Sequence, residues 1–224
     1  LVQAISSALP ATRAGVLQQA ATATPFPTAI NGGTYTLIDD QAGFALGAIS
    51  LEIDSNGRPV LLSDAGNGLR IVRCQDISCQ SRTTADVFIR GLLDFTLDDQ
   101  DRVVFTYLVR QPTTGTAGPI YLGRCQDLNC TSYTSIQVDP AIVFDFSANM
   151  LAMNSDDIPY VAYSRTDFSG MYLGRCLTPA CSQATYEPVV TDGLDMFALK
   201  LDSNGVPVIA YTTMSEVRFV RCTS

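Results

Sequence analysis

Six of the seven cysteines fall into three pairs of one spacing, Cys74/Cys79, Cys125/Cys130 and Cys176/Cys181. Each pair is C-x4-C inside a related phrase: RCQDISC, RCQDLNC and RCLTPAC. The seventh, Cys222, stands in RCTS, the start of a fourth copy. Two chemistries use close cysteine pairs. A metal site needs two pairs to converge, or a histidine. Here the pairs recur at intervals of about 50 residues, one per repeat. A disulfide needs only a tight loop between paired strands, whose facing side chains lie about 4.5–5.5 Å apart. The spacing therefore predicts three local disulfides, each worth about 2 kcal/mol by chain entropy, and hence an oxidising compartment. By the same rule Cys222 has no partner within the chain, and is free or paired between chains.

An arginine precedes the first cysteine of every copy: Arg73, Arg124, Arg175 and Arg221. Four guanidiniums could hold an anionic ligand or a sugar acid. Recurrence in every copy favours structure instead, because binding sites usually break internal symmetry. The stem then packs along a sheet and the head meets a carboxylate or carbonyl. Acidic turns recur too, at Asp54/Asn56, Asp98/Asp99/Asp101, Asn154/Asp156/Asp157 and Asp202/Asn204. Calcium wants six to eight oxygens over a longer loop. Turn chemistry is the favoured reading and no cofactor is expected, with calcium as the alternative.

Histidine is absent, which removes His-dependent triads, His-ligated zinc and imidazole bases. The only glutamates are Glu52, Glu187 and Glu216, and the aspartates sit mostly in turns. No carboxylate pair for glycoside hydrolysis can be placed. The expectation is that the chain is not an enzyme.

The elements that position these residues repeat with them. Four phrases open the copies: LEIDSNGRPVLLSD from Leu51, FTLDDQDRVVFTYL from Phe95, LAMNSDDIPYVAYS from Leu151 and LKLDSNGVPVIAYT from Leu199. Period-two alternation reads as a strand, and D-S-N-G as a hairpin turn. A third strand leads into each first cysteine (LRIVRC, IYLGRC, MYLGRC, VRFVRC), and a fourth follows the second cysteine (SRTTADVF, TSYTSIQV, SQATYEPVV). A four-stranded antiparallel meander of this length is one propeller blade. The fourth copy stops after its third strand. Residues 34–40, Thr-Tyr-Thr-Leu-Ile-Asp-Asp, resemble the segment from Thr185 to Asp192 and are expected to supply the missing strand. The predicted fold is an all-β, four-bladed β-propeller over 34–224, closed by 34–40 and preceded by an extended N-terminal segment, 1–33.

These phrases resemble bacterial secreted β-propeller-like repeat proteins, in which D-x-N-G-x-P precedes R-C-x4-C. The hairpins are also similar to the Asp-box of sialidase-type propellers, S-x-D-x-G-x-x-W, without its serine and tryptophan. The resemblance spans roughly residues 44–224 and implies the fold.

Composition agrees: 46% hydrophobic, 16% charged, 16 glycines and 11 prolines suit short strands and tight turns. Net charge is −8 and Lys200 is the only lysine, so nucleic acid is not an expected partner. No stretch approaches the ~20 apolar residues of a membrane span. The sequence opens at Leu1 without a basic n-region, which reads as a cleaved signal or a fragment. Residues 1–33 carry one charge, Arg13, among Ala, Thr and Ser, too apolar for a solvated tail. The segment is expected to pack on its own domain or on a neighbour as an added strand, with Leu9, Val16, Leu17, Phe26 and Ile30 as the assembly arm. The leading expectation is thus a secreted or cell-surface structural subunit that polymerises with itself. A glycan- or ligand-binding module is the alternative, and a glycoside hydrolase the third.

Overall fold

A computed structural model of the protein describes residues 49–64, 68–89, 91–109, 118–143, 150–166, 170–191, 196–213 and 215–222. Within them lie fifteen strands and no helix. The first blade is β1 (Ile49–Ile53), β2 (Pro59–Asp64), β3 (Leu69–Cys74) and β4 (Arg82–Val87). The second is β5 (Leu92–Leu97), β6 (Val103–Leu108), β7 (Ile120–Cys125) and β8 (Tyr133–Asp139). The third is β9 (Leu151–Met153), β10 (Pro159–Ser164), β11 (Met171–Cys176) and β12 (Ala184–Val190). The fourth holds three described strands, β13 (Phe197–Leu201), β14 (Pro207–Thr212) and β15 (Val217–Arg221). Every sheet is an antiparallel meander in chain order. The inner strands meet in sequence, β1 against β5, β5 against β9 and β9 against β13. Glu52 on β1 also feels the charge of Lys200 on β13. The protein is a four-bladed β-propeller. The expected closing strand, 34–40, and the extension, 1–33, lie outside the described residues.

The first hairpin of each blade is built by its leading Asp or Asn. Asp54 accepts from the backbone N–H of Asn56 and Arg58 at 2.9 and 2.8 Å, and Asp98 does the same for Gln100 and Arg102. Asn154 and Asp202 repeat the pattern. This side-chain-to-backbone bonding is why these residues start tight turns. The last turn residue needs positive φ. Gly57 and Gly205 take it at 75° and 73°, and Asp101 and Asp157 at 59° and 60°, which aspartate tolerates.

The second turn of each four-stranded blade carries the disulfide, Cys74–Cys79, Cys125–Cys130 or Cys176–Cys181, with Cα atoms 4.7, 4.7 and 4.9 Å apart. The second cysteine of each pair is left-handed, with φ of 56°, 52° and 47°. Asp76 and Asp127 tie two of these loops by accepting from Ser78 and Asn129 backbone N–H, each at 2.9 Å.

The apolar strand faces close two of the interfaces around blade two. Phe95, Val103 and Phe105 of blade two pack with Val60, Leu62, Leu69 and Ile71 of blade one. Its opposite face, with Val104, Ile120 and Leu122, joins a cluster that runs through Leu151 and Leu173 of blade three to Leu199 and Ile209 of blade four. Size is matched locally. Gly123 lies under the Phe105 ring, where an added Cβ would come within 2.4 Å of it.

Candidate functional site

The four arginines before the cysteines do not behave alike. Arg73 is buried and crosses from blade one to blade two, donating to the Leu128 carbonyl and to the Asp101 carbonyl at 2.7 Å. Arg124 crosses from blade two to blade three, donating to the Asp157 carbonyl at 2.9 Å. Its guanidinium also lies 3.7 Å from Asp98 and 3.8 Å from Asp157. Arg221 turns back to Asp202 of its own blade, at 2.9 and 2.6 Å. Arg175 has neither arrangement. It is exposed, with its guanidinium carbon 5.5 Å from the Tyr160 ring centre. Among the described residues it makes no hydrogen bond or ion pair.

Between blades two and three the carboxylates of Asp98, Asp99 and Asp157 gather within 4.8 Å of one another. Asp99 N–H donates to Asp157 at 3.1 Å. Burial, then the neighbouring Asp99 and Asp98, push the Asp157 carboxyl above its ordinary range. Arg124 already supplies a cation here. The hairpin aspartate Asp54 goes the other way. Burial raises it, but donors from Arg58 and Asn56 outweigh that and hold it below the usual range.

The inner strands carry a second group of carboxylates, Asp94 on β5 and Glu52 on β1. A bulge between Leu92 and Asp94 re-aims Asp94. It accepts from Ser50 of blade one at 3.3 Å, from Phe95 N–H at 2.9 Å and from Leu151 N–H of blade three at 3.0 Å, so one carboxylate ties three blades. Burial raises its pKa against those donors. Glu52 is half-buried and raised as well, by burial and by the Asp94 charge, with Lys200 opposing. No hydrogen-bond partner holds the Glu52 side chain among the described residues. Sequence reasoning placed no carboxylate pair. The available signal was broken symmetry: the equivalent positions hold Glu52, Thr96, Ala152 and Lys200.

The two terminal faces form the other unusual feature. Val217 and Phe219 on β15 are 79% and 76% exposed. Their equivalents, Leu69/Ile71, Ile120/Leu122 and Met171/Leu173, are buried toward the next blade. Leu51 on β1 is 56% exposed, whereas its equivalents Phe95, Leu151 and Leu199 are buried toward the preceding blade. The faces that pack together at the other seams are therefore bare where blade four would meet blade one. Cys222, on the opposite face of this blade with Val220, is free and partly buried. The expected arm residues Leu9, Val16, Leu17, Phe26 and Ile30 lie outside the described residues.

No protein-family model matches the chain, and no curated protein matches it. Solved structures do. An endo-arabinase from Bacteroides thetaiotaomicron is 14% identical with a TM-score of 0.50, over 87% of this chain and 81% of that one. A protein of unknown function from Dyadobacter fermentans is 10% identical with a TM-score of 0.55, over 77% of this chain and 60% of that one. At these identities the likeness is one of fold. It nevertheless corrects the expectation that the chain is not an enzyme. An enzyme is built on a fold like this one, and the missing histidine leaves carboxylate chemistry open. The raised pair Glu52 and Asp94 on the inner strands is the kind of group that chemistry uses.

Proposed function

We propose that the protein is a secreted or cell-surface assembly subunit that polymerises through its N-terminal extension. The observation that carries this reading is the bare seam. Leu51 and Ile53 on one side, and Val217 and Phe219 on the other, are large apolar side chains left in water. Covering each is worth about 1.5–3 kcal/mol. The fourth blade also has only three described strands, and the outer edge of β15 offers backbone groups to an added strand. Residues 1–33, with Arg13 their only charge, are chemically suited to such a place. Residues 34–40 are the candidate for the missing strand within one chain, which leaves 1–33 for a neighbour. A contact of this kind is head-to-tail, and one that does not close yields a filament. The three disulfides support an oxidising, extracellular setting. Among the described residues no helix is long and apolar enough to cross a membrane. The test is to delete residues 1–28 and compare sedimentation. The reading requires a polymer from the intact chain and a monomer from the truncated one. A monomeric intact chain at high concentration overturns it.

A second reading is catalysis at Glu52 and Asp94. Glu52 is a half-buried carboxyl held above its usual range beside Asp94 and Lys200, suited to donating a proton. Arabinan, after the structural neighbour's name, is the first substrate to assay. Hydrolysis by the intact protein that is lost in Glu52→Gln supports this reading. Hydrolysis unchanged in the variant removes it.

A further inference from the structure

We infer that the cleft between blades three and four binds a uronic-acid residue of an acidic polysaccharide, with Arg175 receiving the sugar carboxylate.

The argument starts from what the other three arginines have and Arg175 lacks. Arg124 draws on the leading residue of its own hairpin, Asp98, and on the last turn residue of the next blade, Asp157. Arg73 reaches the equivalent next-blade residue, Asp101, through its backbone carbonyl and feels its carboxylate charge. Arg221 takes its own-blade aspartate, Asp202. At the third copy both sources of negative charge are replaced together. The own-blade residue is Asn154, where the others are Asp54, Asp98 and Asp202. The next-blade residue is Gly205 in place of Asp101 or Asp157. The arginine is kept while both carboxylates are withdrawn; Gly205 retains the backbone carbonyl that Asp101 and Asp157 offer to Arg73 and Arg124, but among the described residues no hydrogen bond joins it to Arg175. Asp202 itself is already engaged by Arg221.

A cleft lies beside these two positions. It measures about 610 Å³ and runs between Arg175, Tyr160, Thr185 and Glu187 on one side and Asn204 and Cys222 on the other, a volume in the range of small-molecule sites. Its chemistry fits a hydroxylated carboxylic acid. A guanidinium takes a carboxylate by two parallel hydrogen bonds. Glu187 accepts hydroxyl protons, while Asn204 both donates and accepts, so the two can engage neighbouring hydroxyls. Thr185 pairs with Arg175 across the strands and adds a hydroxyl to the cleft, able to donate or accept. A dianion such as a phosphate monoester fits less well, because Glu187 shares the cleft with a single arginine and the chain is acidic, at −8 overall. A monoanion surrounded by hydroxyls meets each of these groups once.

The cleft lies on the face of blade four that packs on blade three, opposite the bare face of Phe219, so the site stands or falls independently of assembly. The experiment is to titrate a short oligogalacturonate, and the same oligomer with its carboxyls reduced to alcohols, into the full chain by calorimetry. Alkylation of Cys222 is followed in parallel as a reporter inside the cleft. The acid oligomer should bind saturably, and both carboxyl reduction and Arg175→Ala should weaken it by about tenfold or more. Bound oligomer should also slow Cys222 alkylation. Absence of saturable binding, equal binding of the reduced oligomer, unchanged binding by Arg175→Ala or unprotected Cys222 would each overturn the assignment. So would an Arg175→Ala variant that melts as early as Arg73→Ala, since Arg175 would then be a blade latch in solution.

Discussion

The seam between blades two and three and the seam between blades three and four are made from the same repeat, yet they are fastened differently. At the first, Asp139 of blade two is fully buried and accepts from the Tyr163 hydroxyl at 2.8 Å and from Arg165 at 2.8 and 2.7 Å. Arg165 also lies over the Tyr172 ring, 3.8 Å from its centre. Arg124 latches the outer end and Asp94 the inner end. At the second seam the position of Asp139 holds Val190, the latch arginine is Arg175, and a polar cleft separates the hairpins. Apolar packing is continuous through both seams. Hydrophobic pattern therefore sets which faces meet, and single polar positions decide whether a seam is sealed or left as a site.

The largest effect should come from the sealed seam. Asp139→Ala removes the buried partner of Arg165 and Tyr163, and should cost about 3–5 kcal/mol because a charge is left unpaired. Thermal or denaturant unfolding reads it directly. A loss under about 1 kcal/mol would mean water replaces the carboxylate freely, and the contrast between seams would collapse.

The latches give the next comparison. Arg73→Ala loses two donors to carbonyls in the neighbouring blade and should cost about 2–3 kcal/mol. Arg175→Ala, at an exposed and unpaired site, should stay within about 0.5 kcal/mol. Equal losses would show that the two seams are fastened alike.

Much of this was legible in the chain. The alternation in LEIDSNGRPVLLSD and its copies marks strands that are present. The hairpin aspartates act as turn-formers, and C-x4-C closes three local disulfides. What could not be read were differences between equivalent positions, because a repeat reading averages them away. Arg73, Arg124, Arg175 and Arg221 share one phrase, and only the placement of Asn154 and Gly205 separates Arg175 from the rest. Val217 and Leu69 look interchangeable in sequence, yet one faces a neighbour and the other faces solvent. Glu52 gives no sign of a carboxylate neighbour in the sequence because the Asp94 charge that acts on it lies in another blade. The exclusion of enzymes failed for a related reason: it counted missing residue types and not the carboxylates that folding brings together.

The disulfides should matter less than the latches. Replacing Cys74 and Cys79 by serine opens a very short loop and should cost no more than about 2 kcal/mol. The turn is also held by three backbone donors to Asp76, from Ser78, Gln80 and Ser81. Melting in the presence and absence of reductant compares the two contributions. A collapse of the fold on reduction would make the disulfide the main restraint.

The smallest predicted effect concerns an electrostatic conflict within the sealed seam. Asp157 sits among Asp98 and Asp99, and its carboxyl is raised by burial and by those neighbours despite Arg124 nearby. An acid whose folded pKa is raised binds its proton more tightly folded than unfolded. Its contribution to stability is most favourable below the unfolded value, near 3.9, and is lost as pH rises through the folded value. At neutral pH the Asp157 charge thus works against the fold. Asn keeps an oxygen for the Asp99 N–H, tolerates the φ of 60° found there, and leaves the Asp157 carbonyl free for Arg124. Asp157→Asn should therefore raise the melting temperature at pH 7 by about 1–3 °C, with the gain vanishing near pH 3. Melting curves of both proteins across that range decide it. A gain that persists at pH 3 would come from packing, and a loss at pH 7 would mean that the Arg124 ion pair outweighs the repulsion and that the seam holds no conflict.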